Sequence, residues 1–187
     1  WAFGWNGMIQ SDRNFANTYG ISGYSGARQT SQIYLSGLGT TSYFDARAYH
    51  FDVQTSSLTS IEEEQQAEVY PVVDYSRIYD DGNGGQIALN FDTYNLSRGQ
   101  EQTISSRTIG LQGDLNRTSG ELSWKKNITA HNGLVLSGLL AAQADYFNFS
   151  LDKVPTSGLI ADSSTTRSTF TAGLEARYPL VSHYAKA

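Results

Sequence analysis

The sequence predicts an all-β chain, a segment of an antiparallel transmembrane β-barrel with about eight strands. Three observations predict it. Side chains alternate apolar and polar with a period of two, and the alternating runs exceed the roughly 5 to 6 residues usual in soluble strands. The connections between the runs alternate long and short. Successive side chains of a strand point to opposite faces, so each run has one bulky face and one small or polar face. Composition agrees: of 187 residues, 39% are hydrophobic and 12% aromatic, but only 17% are charged. An ordinary domain carries roughly 25% charge; here Ser, Thr, Asn, Gln, Gly and Tyr fill the shortfall. Twelve Tyr, eight Phe and three Trp exclude a disordered segment.

The first run, 1–10, puts Trp1, Phe3, Trp5 and Ile9 on one face and Ala2, Gly4, Asn6 and Gln10 on the other. A polar stretch, 11–27, leads to a second strand at about 28–38 and a tight turn at 39–41. The third strand, 42–53, sets Phe44, Ala46 and Ala48 against Asp45, Arg47 and Tyr49. A long loop, 54–67, carries the acidic run Glu62, Glu63 and Glu64 before a fourth strand at about 69–79. Pro71 inside that strand has no N–H for the ladder, which predicts a bulge or a locally unpaired position. Asp80-Asp81-Gly82-Asn83-Gly84 is turn chemistry.

The fifth strand, 86–95, alternates Ile87, Leu89 and Phe91 with Ala88, Asn90 and Asp92. After a long connection, 96–115, the sixth sets Leu122, Trp124 and Ile128 against Glu121, Ser123, Lys125 and Asn127, with Lys126 interrupting the apolar face. A short turn at 130–133 leads to the seventh strand, 134–149, and a polar loop, 150–166. The eighth opposes Phe170, Ala172, Leu174, Ala176, Tyr178 and Leu180 to Thr171, Gly173, Glu175 and Arg177.

Outer-membrane barrels have short periplasmic turns and long outer loops. A soluble Greek-key sandwich has no reason to alternate loop lengths in this way. Trp1, Tyr43, Tyr79, Tyr94 and Tyr146 stand near strand ends and fit interfacial aromatic girdles. No apolar run approaches the roughly 20 residues of a spanning helix, so a membrane location requires a closed barrel. Trp1 opens directly into a patterned strand, which reads as an internal segment with its signal sequence upstream. The whole of 1–187 reads as one segment of a barrel domain.

In this frame the residues opposite the apolar face line the lumen: Asn6, Gln10, Asp45, Arg47, Glu121, Lys125, Asp145, Glu175 and Arg177. Charged side chains in a membrane wall face water or one another. Two roles stay open, a hydrated lumen for polar cargo and cross-strand ion pairs that stiffen the wall. No catalytic residue, cofactor or metal is expected. His50, His131 and His183 are far apart without metal-ligand spacing, and no serine stands out as an activated nucleophile. The chain has no cysteine, and its net charge of −5 argues against nucleic acid as a partner.

Several phrases go beyond pattern. Trp1-Ala2-Phe3-Gly4-Trp5, Ser11-Asp12-Arg13-Asn14-Phe15, Tyr43-Phe44-Asp45-Ala46-Arg47-Ala48-Tyr49 and, most specifically, Pro71-Val72-Val73-Asp74-Tyr75-Ser76 resemble the lipopolysaccharide-assembly outer-membrane protein family, in its alphaproteobacterial form. Ser123-Trp124-Lys125-Lys126, Ala144-Asp145-Tyr146 and Glu175-Ala176-Arg177-Tyr178-Pro179-Leu180 continue the resemblance in family order. It implies a translocon that inserts lipopolysaccharide into the outer leaflet of the Gram-negative outer membrane. Transport there is non-covalent, with sugars crossing a hydrated lumen and acyl chains leaving by a lateral gate. The implied partners are lipopolysaccharide, outer-membrane lipid, a plug lipoprotein of the LptE kind and a periplasmic bridge protein, the last reached through an N-terminal jellyroll not in this chain. A porin-like solute channel shares every compositional feature; a barrel enzyme acting on lipid A and a soluble adhesin sandwich are the other rivals.

Overall fold

Every alternating run folds as a strand. The computed structural model describes residues 1–10, 12, 14–23, 28–54, 64–104, 107–151 and 163–180. The elements are β1 (Ala2–Asn6), α1 (Phe15–Thr18), β2 (Arg28–Leu38), β3 (Ser42–Val53), β4 (Glu68–Asp80), β5 (Gly85–Arg98), β6 (Gln102–Ile104), β7 (Arg107–Gly110), β8 (Gly113–Thr129), β9 (Val135–Leu151) and β10 (Ser163–Arg177). Eight strands make one antiparallel sheet in the order β1-β2-β3-β4-β5-β8-β9-β10, and β6 pairs with β7 as a separate hairpin. The connections at 39–41, 81–84 and 130–134 all lie at one end of the sheet. The strand ends that bound the longer connections, Asn6 and Arg28, Val53 and Glu68, Arg98 and Gly113, Leu151 and Ser163, all lie at the other.

Strand ends differ from the sequence reading in a consistent way. β1 stops at Asn6, so Gln10 lies beyond it, and α1 occupies part of the following polar stretch. β5 instead continues to Arg98, β8 starts at Gly113 and β10 at Ser163, inside stretches whose Ser, Thr and Asn read as loops. Those residues pair across the ladder, Ser97 with Asp114 and Ser164 with Asn148. Backbone pairing satisfies them as strand whatever their propensity. Tyr178 and Leu180 fall past the end of β10.

Pro71 sits in a bulge, as its missing N–H requires. β3 and β5 both slip register there: Val69 faces Tyr49 and Leu96, while Val72 faces Arg47 and Tyr94. The extra residue in β4 keeps Val69 and Val72, three apart in sequence, on the same face.

Burial is inverted relative to a soluble sheet. Among the described residues the buried polar or charged ones are Gln29, Asp45, Gln54, Ser119 and Asp145, and the one buried hydrophobic residue is Ala16. Leu122, Ile128 and Leu140 on the interior strands β8 and β9 remain about half exposed. An exposed apolar expanse of this extent needs a non-aqueous neighbour.

The apolar band does not follow the hydrogen-bonded rows. On β2 and β3 it centres on the facing pair Leu35 and Ala46; on β9 and β10 it centres on Leu140 opposite Ala172. Traced through the register, it slips by about one residue per strand, the stagger that tilts strands of a closed barrel by roughly 35–45° from the axis. A band level with the membrane plane must cross tilted strands obliquely.

Candidate functional site

Cross-strand partners share a face, so the register decides which side chains meet. Ser36, Asp45, Asp74, Asp92, Ser119, Asp145 and Arg167 form one continuous row from β2 to β10. The next row toward the long loops carries Tyr34, Arg47, Val72, Tyr94, Arg117 and Phe147. Toward the short turns come Ser76, Asn90, Glu121 and Gln143, then Lys125 and finally Ser137 opposite Glu175. The polar face is therefore a belt of aspartates with arginines beside and within it.

The belt is internally paired at its two ends. Arg47 Nε donates to Asp45 Oδ2 at 2.5 Å, with its guanidinium 5.6 Å from the Tyr34 ring centre. Asp145, 2% exposed, accepts Arg167 Nη2 at 2.7 Å and Nε at 3.0 Å, Gln143 Nε2 at 3.2 Å and Arg117 Nη2 at 3.5 Å. Arg117 also lies 5.6 Å from the Phe147 ring centre. One carboxylate thus ties β8, β9 and β10 together. Asp74 and Asp92 stand opposite each other between these knots, a like-charge juxtaposition that a packed sheet does not favour.

Of the nine residues read as lumen-lining, Asn6, Asp45, Arg47, Glu121, Lys125, Asp145, Glu175 and Arg177 share this face. Gln10 lies off the sheet beyond β1. Glu175 and Arg177 pair with each other at 3.0 Å. Sequence reading missed Asp74, Arg117 and Arg167. Arg167 sits one residue past a boundary drawn at a polar loop, and continuing the alternation backward from Phe170 would have found it.

The aromatic girdle needs correction. Trp1, Tyr79 and Tyr146 belong to the apolar face, but Tyr43 faces Ser76 and Tyr94 faces Arg117, both on the polar side. Parity, not nearness to a strand end, decides this. Trp124 joins the girdle instead: its indole N–H donates to Asp81 Oδ2 at 3.0 Å. Asp81 Oδ1 caps the β4–β5 turn, accepting the backbone N–H of Gly85 at 2.7 Å and of Asn83 at 2.8 Å. The Trp124 hydrogen bond and then these two amides hold the Asp81 carboxyl below the ordinary carboxylate range. Asp80–Asn83 is thus a clasped turn, not an open ligand loop.

A lowered folded pKa stabilises the turn above the unfolded value, and that contribution disappears as pH falls through the folded value. The Trp124 indole N–H resonance is expected to hold steady from neutral pH down through the ordinary aspartate range, about 4, and to move only below it. Movement at higher pH would refute the clasp.

Of the remaining sequence candidates, His50 bridges Asp52 and Glu68, each at 3.2 Å, and His131 lies in the β8–β9 turn. Glu62, Glu63 and His183 lie outside the described residues.

An antiparallel sheet that is polar and ion-paired on one face, apolar and half exposed on the other, with turns at one end and long loops at the opposite end, is the wall of an outer-membrane β-barrel. The chain matches the family LptD: LPS transport system D over residues 1–187, and it belongs to that family. It is accordingly an outer-membrane protein of Gram-negative lipopolysaccharide transport. None of the curated proteins matches the chain.

Proposed function

We propose that the chain is an arc of the translocon that inserts lipopolysaccharide into the outer leaflet, by non-covalent passage through a hydrated lumen. The carrying observation is the belt: aspartates and arginines gathered from six adjoining strands, β3 to β5 and β8 to β10, onto the face opposite the apolar band. In this reading Asn6, Asp45, Arg47, Glu121, Lys125, Asp145, Glu175 and Arg177 hydrate the passing sugars and phosphates. Passage requires contacts strong enough to admit the cargo and weak enough to release it. Arginines already paired to aspartates meet that demand, because a phosphate gains only part of each guanidinium. No step needs a covalent intermediate.

Among the described residues β1 and β10 each have one hydrogen-bonded neighbour in the sheet. A barrel in lipid leaves no edge unpaired, so further strands complete the wall, and in this reading the lateral gate and the seat of an LptE-like plug lie among them. A periplasmic domain would receive the cargo from the bridge protein.

The test is depletion of the full-length parent while newly made lipopolysaccharide is followed to the cell surface. Stalling before the outer leaflet, with other barrels still assembling, is the expected result. Unchanged surface lipopolysaccharide would remove the translocon reading and return a solute channel, which conductance of the plugged complex would then reveal.

A further inference from the structure

Beyond the apolar band, toward the long loops, the membrane-facing side of the wall changes character. Asn95, Asn116 and Asn148 stand in one row across β5, β8 and β9, and Ser97, Asp114 and Ser150 in the next. By parity these share the face of Phe91, Leu122 and Leu140, not that of the aspartate belt. The row just below them holds Thr93, Thr118 and Tyr146. Asn and Asp are disfavoured in strands, yet four of them stand in two successive same-face rows on three adjoining strands.

These side chains and Tyr70 line an open hollow of about 340 Å³. The Asn116 amide donates to the Asn95 side-chain oxygen, which leaves further amide and carboxylate positions directed outward; Asn95, Asp114, Asn148 and Ser150 are exposed. Among the described residues no Lys or Arg lines the hollow, and Asp114 gives it negative character. That chemistry repels a bare phosphate and matches a neutral, hydroxyl-rich group, which Asn and Asp bind through paired donors and acceptors. The half-exposed Tyr70 ring offers an apolar face to a sugar's C–H edge.

We propose that this hollow docks the saccharide headgroup of a glycolipid standing in the outer leaflet against the wall. The inference rests on the barrel reading, because only then does this face meet lipid at that height. A glycolipid seated there has its acyl chains along the apolar band and its sugars level with the asparagines.

The experiment uses the full-length protein in nanodiscs of phospholipid with and without a neutral glycosyl diacylglycerol, followed by native mass spectrometry of retained lipid. Wild type is expected to keep the neutral glycolipid, and Asn116→Leu and Asn148→Leu each to keep about fivefold less, the loss of about one hydrogen bond's net worth. Phospholipid adducts should not change. Asn148→Ala and Ser150→Ala, which only trim exposed side chains, repeat the measurement should a larger substitution disturb folding. Equal retention by wild type and these variants would overturn the inference, as would phospholipid adducts that fall in parallel. A protein that leaves the membrane and lacks heat-modifiable mobility would instead overturn the barrel reading itself.

Discussion

Leu140→Arg in the full-length protein is expected to cost about 2–4 kcal/mol of barrel stability, whereas Ala141→Arg, one residue further on, is tolerated. Leu140 lies in the apolar band between Trp124 and Ala172. It is 55% exposed, so in water an arginine there would be harmless. In a bilayer the guanidinium must be desolvated or must snorkel to the interface, and the cost is greatest near the midplane. Ala141 points to the polar face between Ser123 and Thr171, one row from Glu121 and Gln143. An arginine at this position meets water and a carboxylate. Denaturant unfolding in lipid vesicles, read by heat-modifiable mobility, measures both. Equal tolerance of the two substitutions would mean that the apolar face does not meet lipid.

The second large effect is expected at Asp145. Asp145→Ala removes the one carboxylate shared by Arg167, Arg117 and Gln143, leaving two guanidinium groups on the flanking strands β8 and β10 without this carboxylate. Asp145 is the buried member, and deleting it removes charge-assisted hydrogen bonds from both arginines at once, with Arg117 the less exposed of the two. A fall of about 1 M in the urea midpoint is the expected scale. Glu175→Ala, which opens a pair exposed on both sides, should change the midpoint little. The double variant Asp145→Ala with Arg167→Ala should recover part of the loss, since it removes one of the stranded charges. A midpoint in Asp145→Ala matching that of Glu175→Ala would show that the knot contributes nothing beyond a surface pair.

Asp145 also shows how far the sequence could go. Its place opposite the apolar face was legible from the alternation of Leu140, Ala142 and Ala144 with Gln143 and Asp145. Its partners were not. Arg117 and Arg167 lie 28 and 22 residues away, and a side-chain period of two says which face a residue takes but not which residue it will meet there. The error at Tyr43 and Tyr94 had a different source, since parity alone places both. Their position near strand ends suggested a girdle, yet each shares parity with Asp45 or Asp92 rather than with Phe44 or Phe91.

Local chemistry determined the strands, their number in the main sheet, the face each side chain takes, the three tight turns and the bulge at Pro71. All of these depend on contacts within a few residues: alternation, a missing N–H, a glycine-rich turn. The alternation of long and short connections followed from them and gave the architecture. The tertiary structure alone decided the strand ends in Ser, Thr and Asn, because ladder partners on neighbouring strands hold residues whose own preference is for turns. It alone decided that four aspartates and three arginines stand within two adjoining rows, and that the apolar band climbs obliquely across them. Register is set by the pairing of distant segments, and in this wall a slip of one residue would turn every side chain of a strand to the other face.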